Sequence, residues 1–356
     1  MLALLPGRKG QVAKVRMFDA LPPYLGGKRR LLGWIFKHLP GPDVAPRLVD
    51  PFCGGGSVAL YAKYRGYEVT ASDIAERGAI VAQALIENSI VRLAEEDLVG
   101  IAAREIPEGY AETRLSPSIF PREHARFFDQ ALSYAGTVSG PRAALVYLLV
   151  IKMALALRAH SNFGAKRLMA QIAAGDWEEM APHYAIHAVR RGVVRHPVAL
   201  ARDHLAKINR AVFSNGHENH ALRGDAFDIL PTLEAEICIC DPPYPGVTGY
   251  ERSLRPLDSL LLGRDVKVEP NPFTVDHPEE TLRRLLSVTE HFPVVALTYG
   301  NKVTPLETIK SLMNRHGRKV EAYARPYEHL AALARKETRA INEEYLIIGR
   351  STQWTL

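Results

Sequence analysis

Cysteine is scarce in this 356-residue chain, with only Cys53, Cys238 and Cys240 present. An odd number cannot pair completely, which excludes a disulfide framework and points to a reducing, cytoplasmic compartment. Cys238-Ile-Cys240 lacks a second ligand pair at zinc spacing, so no metal is expected there. No apolar run approaches the ~20 residues that a membrane-crossing helix needs, and the apolar opening Met1 to Pro6 is too short for a signal. A membrane is therefore not an expected partner. Repeats and low-complexity tracts are also missing. Neither sign of charge dominates: 45 Lys and Arg face 39 Asp and Glu, a net charge of +6, which is compatible with a polyanionic partner without establishing one. The composition, 47% hydrophobic and 24% charged, excludes intrinsic disorder of the whole chain and leaves enough apolar residues for a sizeable core.

What is present is an alternation that starts, stops and resumes. Arg47 to Asp50 reads as a short strand, Ser57 to Tyr64 as a helix and Tyr67 to Ala71 as the next strand, ending at Asp73. This is a βαβ unit with a parallel sheet. From about 90 to 219 the pattern is helical, including the apolar stretch Ala143 to Leu157. Alternation then returns, with helical character over Ala226 to Leu233 and a buried strand over Glu236 to Cys240. Helix Glu279 to His291, strand Pro293 to Thr298, helix Pro305 to His316 and a last strand around Glu344 to Ile348 follow. The expectation is an α/β catalytic domain in two pieces, 17–90 and 220–356, with a helical insertion over 91–219 and a basic, flexible tail over 1–16.

Two motifs carry chemistry. Asp50-Pro-Phe52-Cys-Gly54-Gly-Gly56-Ser57 joins a strand to a helix, where glycines allow a tight turn and close approach to a ligand. Asp73, at the end of the next strand, is placed to accept from ribose hydroxyls. Gly54-x-Gly56-x-x-Ala59 with an acid about 20 residues on also fits a nicotinamide dinucleotide fingerprint, and a glycine turn without any ligand is a further reading. Asp50 leans the other way: a carboxylate ahead of the glycines suits a ligand with a cationic amine, such as S-adenosylmethionine, better than a pyrophosphate.

The second motif is Asp241-Pro242-Pro243-Tyr244, which follows the buried strand. Two prolines remove two amide donors and fix φ, so the turn offers acceptors and a ring but few donors. An exocyclic amine on a planar base needs that arrangement, with its N–H groups met by Asp241 and a proline carbonyl and Tyr244 stacked on the ring. The amine lone pair is delocalised, and acceptors on its hydrogens return electron density to nitrogen as positive charge develops.

With both motifs in place, the sequence resembles the DNA adenine methyltransferases of the alpha group, the Dam-like family. Pro23-Tyr24-Leu-Gly-Gly-Lys28-Arg29 is similar to the family's N-terminal cofactor motif, although Tyr24 stands where the family often has Trp. Gly224-Asp225 resembles the motif before the catalytic strand, and Phe292 to Asn301 and Asn342 to Ile348 resemble the later strands. The segment Gly246 to Pro272 is longer than the family pattern. The resemblance implies a Rossmann-like S-adenosylmethionine-dependent methyltransferase fold with a mostly helical inserted target-recognition domain. Tyr24, Lys28, Asp50, Phe52, Gly54, Gly56, Asp73, Asp225 and Asp241 are then expected around the cofactor. Asp241, Pro242, Pro243 and Tyr244 are expected at the target amine. Double-stranded DNA is the implied partner, with a cognate restriction endonuclease as a possible companion.

Between Arg142 and Arg210 there are 11 Lys or Arg against 4 Asp or Glu, a surplus suited to phosphate neutralisation. Within it Arg158, Asn162, Lys166 and Arg167 fall in a polar stretch similar to the family's recognition region and are expected to contact DNA. Three competing readings stand at this point: an amino-methyltransferase acting on cytosine in DNA, adenine in RNA or a glutamine side chain; a nicotinamide oxidoreductase, which leaves Asp241 to Tyr244 without a role; and a DNA-binding protein that retains the fold without its chemistry.

Overall fold

The computed structural model describes residues 16–23, 27–158, 163, 195–243, 250–268, 271–274, 278–301, 304–326 and 343–354. The expected tail, apart from Arg16, lies outside them, as do Tyr24, Tyr244, Asn162, Lys166 and Arg167.

Seven strands form one sheet: β1 (Arg47–Asp50), β2 (Glu68–Asp73), β3 (His220–Arg223), β4 (Ile237–Cys240), β5 (Val294–Gly300), β6 (Arg318–Pro326) and β7 (Glu343–Ser351). Their order is β3-β2-β1-β4-β5-β7-β6, parallel from β3 to β5, with β7 antiparallel to both β5 and β6. The mixed, mostly parallel α/β sheet matches the expected class. Strand order reverses between β1 and β4: from β1 the chain moves outward to β2, and it later returns to place β4 on the other side. Crevices for ligands form at such reversals, beyond the carboxyl ends of the strands.

Alternation along the strands divides the core between the two faces. Leu48, Ile237 and Ile239 belong to one buried cluster, and Val49, Cys238 and Cys240 to the other. Helix Ser57–Arg65 packs on the first face, while Glu279–Val288 and Leu306–Arg315 supply Leu282, Leu285, Leu286, Ile309, Leu312 and Met313 to the second. The helical stretch that interrupts the alternation contributes Arg122–Ala135, Gly140–Ala156 and Pro197–Asn209, and their buried residues share the first cluster with β1 and β2. Gly140–Ala156 buries residues such as Leu145, Val146, Leu148 and Ile151 on nearly every side, which explains why its sequence is apolar without a polar stripe.

Observed boundaries differ from the expected ones by a few residues. Helix Glu279–Val288 stops three residues short of His291, and the helical expectation over 226–233 resolves into Ala226–Ile229 followed by a 3-10 turn at Leu230–Thr232. β3 and β6 are additional to the expected strands. Among the described residues no helix is long and apolar enough to cross a membrane.

Candidate active site

The carboxyl ends of β2, β1 and β4 lie side by side, because Asp50 pairs in register with Ala71 and Val49 with Cys238. Asp73 ends β2, Asp50 ends β1 and Asp241 follows β4, so the sheet gathers three acids at its reversal point. A cavity of about 500 Å³ opens there. Of the residues singled out in the sequence, Lys28, Phe52, Gly54, Asp73, Asp225, Asp241, Pro242 and Pro243 line it.

The glycine turn has two distinct parts. Gly54 reaches the cavity, and its N–H donates to Asp73 Oδ2 at 2.7 Å, while Ala75 N–H donates to Asp73 Oδ1 at 2.8 Å. Gly56 lies behind the wall. Its φ is +77°, and a Cβ there would stand 2.6 Å from Val81 Cγ1, so this glycine serves the turn and its packing rather than a ligand contact. Asp73 has its own glycine, which the sequence reading did not identify. A Cβ at Gly78 would fall 2.3 Å from Asp73 Oδ2 and 2.6 Å from Asp73 Cβ, so helix Glu76–Val81 can approach the carboxylate only because position 78 has no side chain.

Asp50 is also set behind the lining, almost wholly buried. Its Oδ1 accepts a long 3.3 Å bond from Phe52 N–H, and its Oδ2 has no hydrogen-bond partner among the described residues. Burial, reinforced by the charge of nearby Asp241, pushes this carboxyl up to about 8. Burial likewise raises Asp73 and Asp241, opposed at Asp73 chiefly by Arg77 and at Asp241 chiefly by Lys28.

Lys28 is 2% exposed in a short turn, Lys28–Arg30, and its Nζ lies 2.7 Å from Asp241 Oδ1 and 3.1 Å from Glu344 Oε1. Thr298 on β5 donates to the same Asp241 Oδ1 at 2.6 Å. Asp225 caps the short helix Ala226–Ile229 by accepting from Phe227 N–H at 2.9 Å while also facing the cavity. Three rings gather beside it: Phe227 stacks on Phe273 at 5.6 Å, and Phe52 meets Phe273 edge-on at 5.4 Å. Arg77 pairs with both oxygens of Asp258 on helix Tyr250–Leu262, which fixes that helix over the β2 side of the cavity.

Arg158, expected among the DNA contacts, is turned inward. It is 7% exposed, donates to Leu155 O at 3.1 Å and Pro23 O at 3.3 Å, and lies 5.8 Å from the Phe163 ring. Burial against these partners makes it a tie between the end of helix Gly140–Ala156 and the segment leading to Lys28. Glu344, Thr298, Phe227, Phe273, Arg77 and Asp258 were not singled out in the sequence. Phe227 lies two residues beyond the Gly224-Asp225 motif, whereas Glu344 gave only the signal of an acid near the start of an apolar strand. No group of His, Cys, Asp and Glu able to hold a metal occurs among the described residues.

Residues 24–149 match the family described as D12 class N6 adenine-specific DNA methyltransferase. Type II methyltransferase M2.HphI of Haemophilus parahaemolyticus is 27% identical over 336 residues, covering 91% of this chain and 96% of the relative. The family match includes the Lys28 turn, β1, the glycine turn and β2, and the alignment to the relative, at 91% of this chain, extends through β4 and β5 as well. A mostly parallel sheet with acids at its reversal point, an Asp-Pro-Pro turn beside them and these two matches together make the chain an adenine-specific DNA methyltransferase, similar over residues 24–149 to the D12 class.

Proposed function

We propose that the chain binds S-adenosylmethionine in the cavity beyond β1, β2 and β4 and transfers its methyl group to the 6-amino group of an adenine turned out of duplex DNA. The observation that carries this reading is the gathering of acids at the ends of the parallel strands. Asp73, Asp225 and Asp241 line the cavity there, with Asp50 buried behind them and its Oδ2 without a donor among the described residues, while Lys28, Arg77, Arg223, Arg255 and Lys267 also line it. Acids in that place suit the ammonium of a ligand such as S-adenosylmethionine better than a pyrophosphate.

Lys28, Asp50, Phe52, Gly54, Asp73 and Asp225 would hold the cofactor, with Gly56 shaping the turn and Tyr24, outside the described residues, completing the N-terminal motif. Bound there, S-adenosylmethionine supplies a methyl group already activated by positive sulfur. Asp241 accepts one N–H of the target amine, and the carbonyls of the Pro242-Pro243 turn are suited to accept the other. As the nitrogen lone pair forms the new N–C bond and the S–CH3 bond breaks with its electron pair returning to sulfur, Asp241 would stabilise the charge that develops on nitrogen, and the surplus proton would leave by way of this carboxylate to solvent. Tyr244, also outside the described residues, is the ring on which the base stacks. Extruding a base costs a few kcal/mol, which stacking and phosphate contacts offset.

Site-specific recognition is assigned to the helical insertion over 91–219. The described helices of that stretch are committed to the core, so the reading element falls on 159–194, where Asn162, Lys166 and Arg167 lie, with Arg158 anchoring its start. The tail 1–16 and the two-piece catalytic domain, 17–90 with 220–356, complete the arrangement. The compartment is the cytoplasm, where the chain meets DNA, and a cognate restriction endonuclease is the companion to seek.

Titration calorimetry with S-adenosylmethionine and with a nicotinamide dinucleotide, followed by digestion of methylated DNA to nucleosides and mass spectrometry, tests both halves. Binding of S-adenosylmethionine and appearance of N6-methyl-2′-deoxyadenosine from DNA are expected. Tight binding of the dinucleotide alone would refute the cofactor, and methyl-2′-deoxycytidine alone would refute the target.

A further inference from the structure

Asp241 is held from one side only. Both of its hydrogen-bond partners, Lys28 Nζ and Thr298 Oγ1, meet Oδ1, which leaves Oδ2 without a protein donor among the described residues. Lys28 is in turn shared with Glu344, a fully buried residue. The sheet explains how Glu344 arrives there. β7 runs antiparallel to β5 and pairs Glu344 with Gly300, so the second residue of β7 sits at the end of the sheet where the parallel strands finish. Thr298 lies on β5 one residue beyond Leu297, the register partner of Cys240, and so stands beside Asp241.

We propose that Glu344 is a positioning residue for methyl transfer, acting through Lys28 to set how Asp241 presents its second oxygen to the target amine. This rests on the reading of Asp241 as the acceptor of that amine. A lysine paired with Asp241 alone would place its whole charge on the carboxylate, lowering its strength as an acceptor and drawing it toward Nζ. Dividing the ammonium between two carboxylates restrains Lys28 and keeps Asp241 electron-rich. Thr298 contributes the opposite influence, a neutral donor that fixes Oδ1 and stabilises the ionised form. The charged groups that bear on Asp241 are thus Lys28 from the turn at 28–30, Glu344 from β7 and Asp50 from β1.

Two substitutions separate positioning from mere stability. Glu344→Gln keeps the shape and removes the charge that raises Asp241, so the acid limb of the single-turnover rate should move to lower pH while the plateau rate falls tenfold or more. Thr298→Val removes a bond that favours ionised Asp241, so the same limb should move to higher pH. The substrate is plasmid DNA from a methylation-deficient strain, with radiolabelled S-adenosylmethionine at saturation, and cofactor affinity should stay within about threefold of the parent. Opposite displacements support the proposal. An unmoved limb in both variants overturns it, as does a rate loss in Glu344→Gln explained wholly by lowered thermal stability with Thr298→Val unchanged. If Glu344→Gln does not fold, Thr298→Val and Glu344→Asp decide: the first must raise the limb, and the second, which keeps the charge, must leave it within about 0.3 pH unit of the parent. An Asp241→Asn control marks the alternative failure, since an active Asp241→Asn sinks the reading of the site itself, whereas an inactive one beside a parent-like Glu344→Gln sinks only the role of Glu344.

Discussion

At the scale of single residues, the site depends on a few atoms held where no side chain could be added or removed without consequence. Asp241→Ala deletes the acceptor for the target amine and leaves Lys28 with Glu344 as its nearby carboxylate. Loss of one group aimed at developing charge is worth about a hundredfold or more in rate, so single-turnover methyl transfer should fall at least that far while circular dichroism shows a folded protein. Gly78→Ala makes a subtler test, because alanine favours a helix over glycine by about 1 kcal/mol, yet its Cβ would sit 2.6 Å from the Cβ of Asp73. Cofactor affinity, read by calorimetry, should drop tenfold or more without a matching loss of thermal stability. Affinity equal to the parent would mean that the position of Asp73 does not matter. Asp50, Asp73, Asp241 and Lys28 could be found in the sequence because each falls in a motif with a turn or strand end attached. Glu344 could not, since an acid is ordinarily a surface residue and only the antiparallel return of β7 brings this one against Lys28.

At the scale of elements, legibility follows burial. β1, β4 and β5 are covered on both faces and read as apolar runs, and all three were located within a residue or two. β3 and β6 were missed for a shared reason: they are the two edges of the sheet, largely exposed or half-buried, and their sequences, His-Ala-Leu-Arg and Arg-Lys-Val-Glu-Ala-Tyr-Ala-Arg-Pro, have no buried face to print a pattern. The close of a helical turn is another feature that sequence conceals. Lys63, buried in helix Ser57–Arg65, donates to the carbonyls of Leu85, Ile86 and Asn88 at 3.2, 2.7 and 2.9 Å, capping the chain where Ala82–Glu87 ends. Lys63→Met keeps most of the stem and strands three buried carbonyls, so urea denaturation should show a loss of about 2–3 kcal/mol. Cofactor affinity should be unchanged, because Lys63 does not line the cavity.

At the scale of the whole molecule, the sheet gathers acids at the carboxyl ends of its parallel strands in an otherwise basic chain, and this ties ligand binding to pH. In the free protein Asp50 is held at about 8, against an ordinary value of 3.8. Between those limits the folded chain keeps a proton that the unfolded chain has released, so the contribution of Asp50 to stability is complete below about pH 4 and falls as pH rises toward 8. Asp73 and Asp241, also raised, act in the same direction. A cationic methyl donor reverses the balance, because a positive charge beside these acids favours their ionised forms. Binding below pH 8 should therefore expel protons, and affinity should climb with pH by up to about tenfold per unit for each proton released before flattening near 8. Calorimetry of S-adenosylmethionine binding at pH 6.5, in two buffers of different ionisation enthalpy, reads the number of protons directly. Asp50→Asn is neutral at every pH and leaves Asp73 and Asp241 in place, so it should release fewer protons than the parent and show a flatter rise in affinity. Equal proton release from the parent and Asp50→Asn would show that the buried acid at the end of β1 takes no part in holding the cation, and the assignment of Asp50 to the cofactor would fall with it.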